Sequence, residues 1–140
     1  MVEYNDVKHN SITPNESDMY YENYDKQHYQ DMLFGDNGYT GPNGENLISL
    51  KQFYNEQSGG TLNINGTVTD WYSVSKNAAY YGESSGGSND LRPRELVMET
   101  LNNLANDPTI DLSEFDKIDR YDLDGDGAAG AFCHEFGHDL

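Results

Sequence analysis

A chain of 140 residues has room for one modest hydrophobic core, and at 35% hydrophobic residues it would fill that core sparingly, with 11 tyrosines and Trp71 supplying much of the buried area. Twenty-five acidic against 8 basic residues give a formal charge of −17, a surface that repels phosphate backbones and anionic membranes and so disfavours nucleic-acid partners. Cys133 is the only cysteine, which removes a disulfide framework, and no apolar run approaches a bilayer span.

Residues 1–27 are polar and tyrosine-rich without a helical or strand period, and read as a loose N-terminal arm; no basic-then-apolar signal segment opens the chain. Asn15-Glu16-Ser17 and Asn65-Gly66-Thr67 match the glycosylation tripeptide, a pattern common by chance. His28 to Phe34, with Tyr29 and Met32 to Phe34 apolar, reads as a short strand. Gly35 to Gly44 is turn-rich, broken by Gly41-Pro42 and Asn43-Gly44.

From about Glu45 to Gln57 the spacing of Leu47, Leu50, Phe53 and Tyr54 predicts a helix, stopped by Gly59-Gly60. Leu62, Ile64, Val68, Tyr72 and Val74 then share one parity while Asn63, Asn65, Thr67 and Thr69 share the other. That alternation predicts a strand, in a hairpin or edge ribbon bent near Gly66. Gly82 to Asn89 is a Gly/Ser loop. A second helix follows Asp90, with Pro93 in its first turn, Leu96, Val97, Thr100, Leu101 and Leu104 facing inward, and Asp107-Pro108 at its end. Ser113 is placed to cap a short helical turn running to Phe115. The element order is α+β.

The chemistry lies in the last twenty residues. His134-Glu135-Phe136-Gly137-His138 sets two histidines one helical turn apart on one face, so that both imidazoles reach a single zinc ion. Glu135 is the general base for a zinc-activated water attacking a peptide carbonyl, and returns the proton to the leaving amine. A surface helix with two histidines by coincidence is the alternative. Gly137, costly within a helix, and the apolar Phe136 favour a packed helix instead. Cys133 is a small buried filler rather than a ligand.

Upstream, Asp122-Leu123-Asp124-Gly125-Asp126-Gly127 places carboxylates at positions 1, 3 and 5 and a glycine at 6, the first half of a calcium loop. Position 12, where a bidentate Glu belongs, is Cys133, and Glu114, Asp116 or Asp119 are the candidates to complete the shell. A metal-free Asp/Gly turn is the alternative.

Taken in order, these stretches resemble the immune inhibitor A family of secreted bacterial zinc proteases. The resemblance rests on His28 to Gly35, Ser49 to Tyr54, Gln57 to Gly60, Asp70-Trp71-Tyr72, Ile110 to Ser113, Phe115-Asp116, Asp119 to Asp122, the aspartate loop and Phe132 to Leu140. It implies a zincin-like catalytic domain over residues 28–140, built from an N-terminal mixed sheet with helices and the HExxH helix. It also implies zinc on His134 and His138, Glu135 as base, and calcium at Asp122, Asp124 and Asp126 as stabiliser. A secreted endopeptidase acting on protein or peptide substrates, without membrane insertion, is the activity it implies.

Two departures from the family stand out. Gly127 runs almost directly into the zinc helix, where the family has a substantial intervening stretch, and no residue matches the third zinc ligand. His9 and His28 are the remaining histidines, and neither lies in a segment the family places near the metal. The chain therefore reads as a shortened piece of the catalytic domain, with its own activity in question. The competing reading is a non-catalytic calcium-binding or interaction module that keeps the HExxH helix as a relic.

Overall fold

The computed structural model describes residues 1–16, 19–84 and 90–114, which divide into two compact units. Unit one comprises Met1 with residues 8–71, and unit two comprises residues 2–7 with 72 onward.

In unit one the first element is helix α1, Lys26–Phe34. This corrects the strand expected over His28 to Phe34. The Asp25 side chain accepts from the His28 N–H at 2.8 Å and caps the helix, and Gly35 ends it with a bond to the Asp31 carbonyl. Tyr29, Met32 and Leu33 then stand at i, i+3 and i+4, a helical spacing that the short apolar run conceals. An antiparallel pair follows, β2 (Tyr39–Thr40) and β3 (Asn46–Leu47), registered Tyr39 to Leu47 and Thr40 to Asn46. It takes Leu47 out of the helix expected from Glu45.

Helix α2 begins only at Leu50 and runs to Gln57, because Ser49 and Gln52 form a reciprocal capping box. Ser49 is fully buried, and its hydroxyl also donates to the Gly35 carbonyl at 2.7 Å, which ties the end of α1 to the start of α2. Gly59 and Gly60, both at positive φ, terminate α2 as expected. Phe53, on the apolar face that predicts the helix, is 44% exposed, whereas Leu50 and Tyr54 are half-buried.

Of the strand expected over Leu62 to Val74, only Tyr72–Ser73 forms one, and residues 61–71 pair with no strand among the described residues. A side chain substitutes for the missing ladder. Gln30 of α1 donates through Nε2 to the Gly66 carbonyl at 3.0 Å and accepts from the Val68 N–H at 2.8 Å. Phe34, one turn further along α1, lies so close to Gly66 that a Cβ there would collide with its ring. Val68 is buried as the alternation requires.

In unit two, β1 (Val2–Glu3) runs parallel to β4 (Tyr72–Ser73), with Val2 opposite Tyr72 and Glu3 opposite Ser73. The mixed sheet expected near the N-terminus is thus two separate two-stranded ladders among the described residues. Asn5 donates to the Ser75 carbonyl and Asp6 accepts from the Ala78 N–H. Residues 2–6, expected within a loose arm, are therefore held by backbone pairing and by side chains. The short helix α3 (Ala78–Tyr81) is capped by Asn77 and packs on α4 (Pro93–Ala105), which has its proline in the first turn as expected. Leu101, expected to face inward, is 41% exposed.

Val74 and Tyr81 are the buried apolar side chains of this unit among the described residues. Glu99 of α4 braces the region. It accepts from the Ser75 N–H at 2.6 Å and from the Tyr81 hydroxyl at 2.5 Å. A 3-10 turn at Leu112–Glu114 closes the described part, and its cap is Asp111 rather than Ser113: the Asp111 carboxylate accepts from both the N–H and the hydroxyl of Ser113.

Candidate metal centre

His134, Glu135 and His138, and with them Asp122, Asp124 and Asp126, lie outside the described residues, as do Asp116 and Asp119. Their fit to metals is a matter of donor chemistry. Two neutral imidazoles spaced i, i+4 suit a borderline ion such as zinc, whereas three carboxylates on alternate residues suit a hard cation. The described chain leads towards the aspartate loop through the turn at Leu112–Glu114. Hydrogen bonds from Ser113, first from its hydroxyl and then from its N–H, hold the Asp111 carboxyl below its ordinary range.

The two other histidines sit in unit one. His28, in the first turn of α1, is ringed by Tyr21, Tyr29, Tyr24 and Tyr39 at centroid distances of 4.3, 5.0, 6.0 and 6.5 Å. Burial lowers its pKa, against the opposing pull of Asp25 and Asp31. His9 stacks on Trp71 at 4.7 Å with the rings 6° from parallel, and the Trp71 indole N–H donates to the Tyr24 carbonyl. His9 and Trp71 line a hollow of about 520 Å³ with Asp25, Lys26, Gln27 and Asp70. Among the described residues, no group of three or more His, Cys, Asp or Glu is placed to hold a metal ion.

The organising side chains of the described units are polar. Gln30 and Glu99 each bind backbone that local structure leaves unpaired, and sequence reading passed over both. For Gln30 a signal was available, since it stands four residues before Phe34 on one helical face and both reach Gly66. Nothing comparable marked Glu99.

The family model described as immune inhibitor A peptidase M6, catalytic domain, matches residues 1–129. The match takes in the aspartate loop and ends at Ala129, short of His134, in the segment where the departure from the family was expected. It also includes the first 27 residues. Pre-pro-metalloprotease PrtV of Vibrio cholerae serotype O1 (strain M66-2) is 51% identical over 119 residues, which are 84% of this chain and 13% of PrtV. Immune inhibitor A of Bacillus thuringiensis subsp. alesti is 43% identical over 131 residues, 91% of this chain and 19% of that relative. The chain therefore spans less than a fifth of the length of either relative.

Proposed function

The chain belongs to the immune inhibitor A family of M6 peptidases, and from that premise we propose that it carries the zinc-binding and general-base residues of a zincin-like endopeptidase. The observation that carries the reading is His134-Glu135-Phe136-Gly137-His138 in a chain matched to a peptidase catalytic domain and similar to a relative named as a metalloprotease.

In this reading the imidazoles of His134 and His138 hold the zinc, and one helical turn between them keeps both on one face. Zinc, when bound, supplies a Lewis acid that acidifies water and polarises the substrate carbonyl. The Glu135 carboxylate takes the proton of the water that adds to the peptide carbonyl carbon. It returns that proton to the amine nitrogen as the C–N bond breaks, leaving a new carboxylate and a new amine. Asp122, Asp124 and Asp126 bind calcium through alternate carboxylates, with Gly127 making the turn. The substrates are proteins or peptides. An extracellular location is supported by the word pre-pro in the name of PrtV.

The test uses the longest natural chain that contains these residues. His134→Ala or His138→Ala should abolish stoichiometric zinc, whereas Glu135→Ala should retain zinc and lose cleavage of a fluorogenic casein. Metal analysis in which Glu135→Ala loses zinc as fully as His134→Ala would make Glu135 a ligand and overturn its role. Residues 1–140 by themselves contain two identifiable ligands where a catalytic site takes three, so this piece should exchange its zinc readily in dialysis and cleave nothing. Tight zinc and chelator-sensitive turnover from residues 1–140 would reveal a third ligand within them.

A further inference from the structure

Three Asn-Gly pairs occur in the chain, at Asn37-Gly38, Asn43-Gly44 and Asn65-Gly66, and the fold treats them differently. A glycine following asparagine leaves its backbone nitrogen unshielded, so that nitrogen can add to the asparagine side-chain carbonyl carbon. Two features of the structure bear on the rate: whether the glycine N–H is free, and whether anything stabilises the oxyanion that develops on Oδ1.

At Asn43 the first condition fails, because the Gly44 N–H is bonded to the Gly41 carbonyl at 3.0 Å. At Asn65 both conditions hold. The Gly66 N–H has no hydrogen bond among the described residues, and the Lys51 ammonium donates to Asn65 Oδ1 at 2.9 Å. Lys51 also pairs with Asp36 at 2.7 Å, and its side chain is only 18% exposed, so the charge is not fully screened. The glycine itself is required, since the Phe34 ring occupies the space of any Cβ at position 66. Asn65 itself is exposed, open to water and to the departure of ammonia. At Asn37 no cation donates to the side chain among the described residues.

We propose that Asn65 is a self-modifying site, deamidated through a succinimide with Lys51 as the group that stabilises the oxyanion. The Gly66 nitrogen forms a bond to Asn65 Cγ, the Cγ–Nδ2 bond breaks, and ammonia leaves with the proton lost by Gly66. Water then opens the imide on one side or the other. Opening at Cγ gives an aspartate with a normal backbone; opening at the main-chain carbonyl gives isoaspartate, with one more methylene in the backbone. The net change is one water consumed and one ammonia released, with no other reactant. The aspartate product places a second carboxylate on Lys51 beside Asp36. Isoaspartate lengthens the backbone next to the two bonds made by Gln30, so modification marks and loosens this segment as the protein ages.

The experiment incubates the folded chain at mildly alkaline pH in water enriched in oxygen-18 and follows each Asn-Gly pair by peptide mapping. Asn65 should convert faster than Asn43, and faster in the folded protein than in urea, where the bond from Lys51 is lost. Lys51→Met, with folding checked by its melting curve, should slow Asn65 about tenfold, the worth of one charge-assisted hydrogen bond. Asp36→Asn, which leaves Lys51 to Asn65 alone, should not slow it. A folded-state rate at Asn65 no higher than in urea, or no higher than at Asn43, would overturn the proposal by showing that the scaffold suppresses the reaction. An unchanged rate in Lys51→Met would do so by removing the role of Lys51.

Discussion

Replacing Gln30 by Met keeps the length and apolar stem of the side chain while deleting both of its hydrogen bonds. The Gly66 carbonyl then loses its donor at 3.0 Å and the Val68 N–H its acceptor at 2.8 Å. Each neutral bond is worth about 1 kcal/mol net. Val68 is only 6% exposed, so its N–H cannot readily turn to water and adds a further fraction of its desolvation cost. The sum is about 2.5 kcal/mol, which for a chain of this size is a fall of about 10 °C in melting temperature. The assay is thermal unfolding followed by Trp71 fluorescence and by far-ultraviolet circular dichroism, wild type against Gln30→Met. Gln30→Glu refines it: the carboxylate still accepts from Val68 but faces the Gly66 carbonyl, and protonation at acid pH restores a donor. Relative to wild type at the same pH, Gln30→Glu should therefore recover on acidification. A Gln30→Met protein melting within about 2 °C of wild type would show that segment 61–71 is held by other means and refute the reasoning.

Ser49→Ala removes the cap of α2 and the donor to the half-buried Gly35 carbonyl together, and should cost about 2 kcal/mol in urea unfolding; a loss below about 0.5 kcal/mol would deny the double role. Glu99 is held below its ordinary pKa of 4.5, first by the Tyr81 hydroxyl and then by Ser75. A depressed carboxylate stabilises the fold above the unfolded value and loses that contribution as pH falls through the lower folded value, so Glu99→Gln should flatten the acid side of the stability profile. An acid slope identical to wild type would remove Glu99 from that account. Tyr81 is raised chiefly by burial and then by its bond to Glu99, so its contribution is present below pH 10 and is lost as pH rises through the folded value; Tyr81→Phe should extend stability to higher pH. Millimolar calcium should raise the melting temperature of the longest natural chain, and Asp124→Asn should remove most of the increment, while indifference to calcium would sink the assignment of the aspartate loop.

Much of unit two was legible from local pattern. Helix α4 combined a helical period with Pro93 at its start and Asp107-Pro108 beyond its end, signals contained within one or two turns. The stop at Gly59-Gly60 was equally local. The misreadings share a cause. The apolar run of Met32 to Phe34 is too short to tell strand from helix by period, and the cap that settles it is Asp25, outside the run. Alternation over Leu62 to Val74 correctly marked Val68 and Val74 for burial but not the backbone partner. A strand and an unladdered segment clamped by one glutamine present the same parity. Leu101 and Phe53 lie on apolar stripes, yet a stripe records only that a face is apolar, not how far its neighbours cover it.

The sequence alone carries the residue types at His134, Glu135 and His138 and the carboxylate spacing at Asp122, Asp124 and Asp126, from which the zinc and calcium proposals are drawn. Those patterns depend on residue type and on distances of a few residues, and the order of the motifs along the chain was enough to indicate the family. Tertiary structure decided the rest. It set Val2–Glu3 beside Tyr72–Ser73, some seventy residues along the chain, brought Gln30 to Gly66 and Val68, and gave Glu99 to Ser75 and Tyr81. Such pairings are chosen by which unsatisfied backbone groups meet once the chain has closed on itself, and a polar side chain carries no periodic mark of the distant carbonyl it will bind.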